Sequence, residues 1–124
     1  MIIHIDTSAL VDALTGPRRS LDTLIGLVEA EHRINISAPV LYEWLRGPRT
    51  RADLGIQEEL MPSWDVAVFG VVEAQLAAKL YASVVRPRGR EIDLAVAACA
   101  LANRAALWTL NRRDFHDLEA LRLI

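Results

Sequence analysis

The chain has 124 residues, 52% of them hydrophobic and 24% charged, which predicts one domain over residues 1–124 with enough apolar surface to bury a core. Its apolar runs are too short to span a membrane, and Met1-Ile2-Ile3-His4 runs into Asp6 without the basic and long apolar regions of a secretory signal, so a cytoplasmic location is expected. A single cysteine, Cys99, excludes an internal disulfide and a cysteine-based zinc cluster, and the formal net charge of −2 gives no bulk attraction for nucleic acid.

Ile2-Ile3-His4-Ile5 predicts a buried strand, ended by Asp6-Thr7-Ser8, three helix-capping residue types. Helical spacing follows over 8–15 and about 19–31, split by Gly16-Pro17. Arg33 to Ser37 predicts a second strand. Ala38-Pro39 then opens a helix, with proline in its first turn, that runs to the stop at Gly47-Pro48. A short helix is expected around 50–60. Trp64 to Phe69 alternates with β-branched residues and predicts a third strand. Residues 70–85 place Val72, Leu76, Leu80 and Val84 on one stripe, the pattern of an amphipathic helix. After the loop Arg86 to Arg90, residues 91–105 are apolar almost all round, which suits a helix packed on several sides. Ala106 to Thr109 predicts a fourth strand and Leu121 to Ile124 a short fifth. Strands separated by helices imply an α/β fold, a three-layer α/β/α sandwich around a parallel sheet of four to five strands. In such sheets the functional cleft lies beyond the carboxyl ends of the strands, which directs attention to Asp6 and to Asn111 through Asp114.

Sixteen acids are spread along the chain, and four of them stand among apolar or small residues: Asp6, Glu43, Asp93 and Asp114. Each has an ordinary explanation when taken singly. Asp6 reads as a helix cap, worth typically ~1 kcal/mol. Glu43 reads as a solvated helix residue, Asp93 as a first-turn acid favoured by the helix dipole, and Asp114 as part of an Asx-type turn. Taken together, two follow strands and two sit in helices able to face the same sheet edge. Four carboxylates brought together raise one another's pKa, and a bound cation is what keeps such a cluster ionised. Oxygen ligands without cysteine and with little histidine point to Mg2+ or Mn2+, not zinc. A hydrated hard cation of this kind suits phosphodiester hydrolysis. Thr7, Ser8, Thr109 and Asn111 are placed to orient the carboxylates by hydrogen bonding.

Ile5-Asp6-Thr7-Ser8-Ala9-Leu10, Leu41-Tyr42-Glu43, Asp93-Leu94-Ala95-Val96-Ala97-Ala98 and Thr109-Leu110-Asn111-Arg112-Arg113-Asp114-Phe115 resemble the ordered acidic motifs of PIN-domain ribonucleases. More narrowly, the chain is similar over essentially its whole length to the VapC toxins of VapBC toxin–antitoxin pairs. The resemblance implies that Asp6, Glu43, Asp93 and Asp114 form the metal-binding catalytic set, with Thr7 and Thr109 at polar positions near the metal. Asp117 is an additional acid of low weight. The implied reaction is metal-assisted attack of water on RNA, leaving a 5′-phosphate and a 3′-hydroxyl. The implied partners are an RNA substrate, structured RNA such as tRNA being common in the family, a VapB-type antitoxin and a second copy of the chain.

Thirteen of the fourteen basic residues are arginine, a bias that base composition of the coding sequence explains as well as function does. Arg46, Arg49, Arg88, Arg90, Arg112 and Arg113 lie near the motifs, where guanidinium forks could position an RNA backbone. Apolar groups over 18–31 and 50–60 (Leu21, Leu24, Ile25, Leu27 and Val28, then Leu54, Ile56, Leu60 and Met61) fit either core packing or a partner surface. Trp44 and Trp64 fit the same two readings. A haloacid-dehalogenase-type phosphotransfer domain is a poor alternative, because Ser8 stands where that family needs a second acid. A response-regulator receiver lacks its lysine near the last strand. The remaining alternative is a catalytically silent PIN-like module that binds RNA or protein, which the intact acidic quartet argues against.

Overall fold

A computed structural model describes all residues from Met1 to Ile124. Strand β1 (Ile2–Ile5) leads through helices α1 (Thr7–Leu14) and α2 (Leu21–Glu29) to β2 (Arg33–Asn35). Helices α3 (Ala38–Arg46) and α4 (Arg51–Leu60), a single 3-10 turn at Ser63–Asp65, and helices α5 (Val71–Ser83) and α6 (Glu91–Ala102) precede β3 (Ala106–Trp108). A second 3-10 turn spans Arg112–Asp114. No helix is long and apolar enough to cross a membrane.

The sheet is parallel with β1 at its centre, in the order β2-β1-β3; Ile3 pairs with Ile34 on one side and Ala106 on the other. Ile3, His4 and Ile5 are all essentially inaccessible, so side chains from both faces of the central strand are covered by helices. The α/β expectation holds, but the sheet has three strands where four to five were predicted. Each missing strand survives as one bridge. Ala67 lies beside Ser37, its N–H donating to Ile36 and its carbonyl accepting from Ala38; Leu123 lies beside Leu107. Local chemistry explains the loss at the first site. The Asp65 N–H donates to the Pro62 carbonyl, coiling 63–65 into the 3-10 turn, and Asp65 is drawn to Arg33 at 2.7 Å. Trp64 is thereby left 85% exposed, whereas Trp44 is fully buried.

Helix α6 is the most enclosed helix, burying Leu94, Val96, Ala97, Ala98, Cys99 and Ala100, as its uniform apolarity implies. Helix α5 packs along it as an outer layer and buries no residue completely. Of its predicted stripe, Leu76, Leu80 and Val84 are half-buried and Val72 is exposed. The apolar set in α2 and α4 divides similarly: Leu24 and Met61 enter the core, while Ile25, Val28 and Leu60 face solvent.

Helix ends are secured locally. Thr50 and Asp53 form a reciprocal capping box at the start of α4. Helices α2 and α6 both end in Schellman geometry, with His32 N–H bonded to Leu27 O and Ala105 N–H to Ala100 O. The residues at the left-handed positions are Glu31 (φ 64°) and Arg104 (φ 53°), not glycine.

Candidate active site

The chain reverses its direction of winding at β1: β2 lies to one side of it and β3 to the other, which opens a crevice at the carboxyl ends of β1 and β3. Asp6 stands there as the residue between β1 and α1. Its backbone occupies the cap position of α1, but its side chain caps nothing. It is only 4% exposed, and its Oδ2 instead accepts from Thr109 Oγ1 at 2.7 Å and Ser8 Oγ at 3.0 Å. The two hydroxyls are themselves fixed: Ser8 Oγ accepts from the Leu110 N–H, and Thr109 Oγ1 from the Asn111 N–H. Both donors address the same oxygen, leaving Oδ1 free to bind something else.

Glu43 projects from α3 toward α1. Thr7 donates to its Oε1 at 2.6 Å, and Arg46, one turn further along α3, reaches its Oε2 at 3.4 Å. Asp93 sits half-buried in the first turn of α6, and Asp114 lies exposed on the turn after β3. Neither carboxylate accepts a hydrogen bond from the chain; at Asp114 it is the backbone carbonyl that is engaged, by Arg90.

The four acids share one electrostatic environment. Burial raises the Asp93 pKa most, and the charges of Asp6, Asp114 and Glu43 each add to the effect, pushing it up to about 6 against a partial offset from Arg90. The acids are not closed into a chelate, since no three acidic, histidine or cysteine side chains stand in position to hold one ion directly. Their chemistry still fits a hard divalent cation that keeps several waters. The donors are all oxygen, and the carboxylates of Asp93 and Asp114 accept no hydrogen bond from the chain.

The other predicted positions take distinct places. Thr7, Ser8 and Thr109 touch the acids through their hydroxyls, whereas Asn111 contributes its backbone N–H, and its side chain is exposed. Arg46 lies over the Tyr42 ring, 5.1 Å from its centroid, beside Glu43. Arg88, Arg112 and Arg113 are exposed. Arg49 folds back over the Trp44 ring at 4.4 Å and donates to the Pro48 carbonyl. Arg90 grips Asp117 with both terminal nitrogens, at 2.8 and 2.7 Å. That grip holds the Asp117 carboxyl below the usual range, and Asp117 stays outside the quartet. Next to Glu43 and Asp93 runs an open apolar cleft lined by Pro39, Tyr42, Phe69, Glu91, Ile92 and Ala95.

The PIN domain model matches residues 3–121. No curated protein matches the chain by sequence. Among solved structures, the chain is similar to VapBC2 from Rickettsia felis, a complex bound to a promoter DNA fragment, with a TM-score of 0.77 and 22% identity over 100% of this chain and 98% of that one. DNA-bound VapBC from Salmonella typhimurium gives 0.79 and 18% over 100% and 97%. VapBC-5 from Mycobacterium tuberculosis gives 0.65 and 22% over 99% and 97%. At these identities the likeness establishes the fold.

Proposed function

The chain belongs to the PIN domain family, and on that premise we propose that it is a metal-dependent ribonuclease, the toxin of a VapBC-type pair that acts in the cytoplasm. What supports this reading is Asp6, nearly buried at the crevice with a carboxylate that caps nothing, and the charges of Asp6, Asp114 and Glu43 that add to burial in raising the Asp93 pKa to about 6. Asp6, Asp93 and Asp114 would hold Mg2+ or Mn2+ directly or through water. The ion would supply an activated water and stabilise charge on the scissile phosphate. Glu43, held by Thr7 and Arg46, stands ready to orient the attacking water or take its proton. Arg46 beside Glu43, with the exposed Arg88, Arg112 and Arg113, is available to position the RNA backbone. Arg49 and Arg90 are engaged within the chain and are given no RNA contact in this scheme.

A VapB-type antitoxin and a second copy of the chain are the proposed protein partners. Support comes from the VapBC complexes among similar folds, and from Tyr42, Val68, Phe69, Val71 and Val72, large apolar side chains exposed at or beside the apolar cleft. The decisive experiment incubates end-labelled total RNA with the chain and Mg2+ or Mn2+, next to Asp6→Asn. Discrete fragments that disappear with EDTA and with the variant are expected. Intact RNA in the presence of folded, metal-supplied protein would instead favour a silent binding module.

A further inference from the structure

Arg90 occupies the cap position of α6, three residues before Asp93, and its side chain bonds to Asp114 and Asp117. Its two terminal nitrogens close a parallel fork on Asp117, and one of them also reaches the Asp114 backbone carbonyl at 2.9 Å. One guanidinium therefore joins the start of α6, which carries Asp93, to the turn that carries Asp114. The other acids have their own ties: Asp6 is bound to Thr109, the residue after β3, and Glu43 to α1 through Thr7. The Asp93–Asp114 side has no equivalent contact between its carboxylates and any donor, so the Arg90 fork is the polar link between the two segments there.

We propose that Arg90, locked by Asp117, is a positioning residue that fixes the separation of Asp93 and Asp114 for cation binding. The inference rests on the reading of the acidic quartet as a metal site. Asp117 does two things in this arrangement. It supplies the planar carboxylate that orients the fork, and it occupies a cation that would otherwise turn to Asp93 and Asp114 and compete with the metal. A lysine at 90 would keep the charge but could not hold a carboxylate and a carbonyl in one plane.

The expected sign separates positioning from simple charge. Removing a positive group from beside acidic ligands should tighten cation binding if only electrostatics matters, and should weaken it if Arg90 sets the geometry. The test is Mn2+ titration of the full chain, followed calorimetrically, for wild type, Arg90→Gln, Arg90→Lys, Asp117→Asn and Asp6→Asn, with thermal melts to establish that each is folded. Positioning predicts that Arg90→Gln, Arg90→Lys and Asp117→Asn all bind Mn2+ about tenfold more weakly. Tighter binding by Arg90→Gln, or wild-type affinity in Arg90→Lys, would overturn the proposal. Should Arg90→Gln fail to fold, the charge-retaining lysine variant carries the same decision. Wild type binding no better than Asp6→Asn would overturn the metal reading and this inference with it. Weak binding by Asp6→Asn beside unaltered Arg90→Lys would overturn the inference alone.

Discussion

Asp6 and Glu43 are held by hydroxyls from neighbouring elements, whereas the carboxylates of Asp93 and Asp114 accept no hydrogen bond from the chain. The two donors to Asp6 are themselves anchored by backbone N–H groups, and Glu43 is held by Thr7 and Arg46. The second pair is partly exposed and has no donor of its own, and Asp93 faces like charge. The contrast is between one pair fixed by side-chain hydrogen bonds and one pair without them. On the proposed reading, the second pair would be satisfied by a bound cation.

Substitutions should therefore act in opposite directions on the two sides while converging on activity. The largest effect expected is on cleavage: Asp6→Asn and Asp93→Asn should each lower the metal-dependent rate by about a thousandfold, as loss of several kcal/mol of charge stabilisation implies. Equal activity in either variant would break the comparison. Stability should then separate the pairs. Thr109→Val removes a donor from a buried carboxylate and should cost about 2 kcal/mol in urea unfolding. Asp114→Asn, on an exposed turn, should stay within about 0.5 kcal/mol of wild type.

A subtler effect is pH-dependent. Asp93 has its pKa raised to about 6, so the folded state retains a proton that the unfolded chain releases near 4, and metal-free protein loses stability as pH rises through that interval. His4 behaves oppositely. Burial, aided by Arg33, lowers its pKa to about 4, so its contribution is present above the unfolded value of 6.5 and is lost as pH falls toward 4. The two slopes oppose each other over much of the same window. In EDTA, Asp93→Asn should gain about 1 to 2 kcal/mol at pH 7, a figure reduced for the partial exposure of the group. It should also lose stability as pH is lowered from about 6.5 to 4, the His4 slope now unopposed. Melting curves at several pH values read both effects; a flat profile in Asp93→Asn would contradict them. A further effect lies far from the acids. Arg104→Gly relieves a left-handed backbone at the end of α6 and should stabilise by up to about 1 kcal/mol without changing metal affinity.

Most of this architecture is legible in the sequence because it is written in local patterns. Every helix could be placed from spacing and end signals, including the stop at Gly47-Pro48 and the enclosed character of α6. The four acids stand out because apolar neighbours surround them. What escaped depends on contacts between residues distant in the chain. Alternation over Trp64 to Phe69 resembles a strand, but the turn after Pro62 and the pull of Arg33 on Asp65 leave only Ala67 in register. Nothing local indicates that Arg90 pairs with Asp117 across 27 positions, or Thr7 with Glu43 across 36. Asp6 has the position and residue type of a helix cap, and only its two hydroxyl donors reveal that its carboxylate is committed elsewhere.

The single-residue bridges at Ala67 and Leu123 have a consequence for assembly. Ala67 extends one margin just beyond the end of β2, bonded to Ile36 and Ala38, while Leu123 lies against Leu107 of β3, and neither offers an extended row of free N–H and C=O groups of its own. A passing strand from another molecule finds almost nothing to zip onto, so the margins resist the edge-to-edge growth that leads to aggregation. With edges this short, association through side chains on the helices is favoured over pairing between sheets.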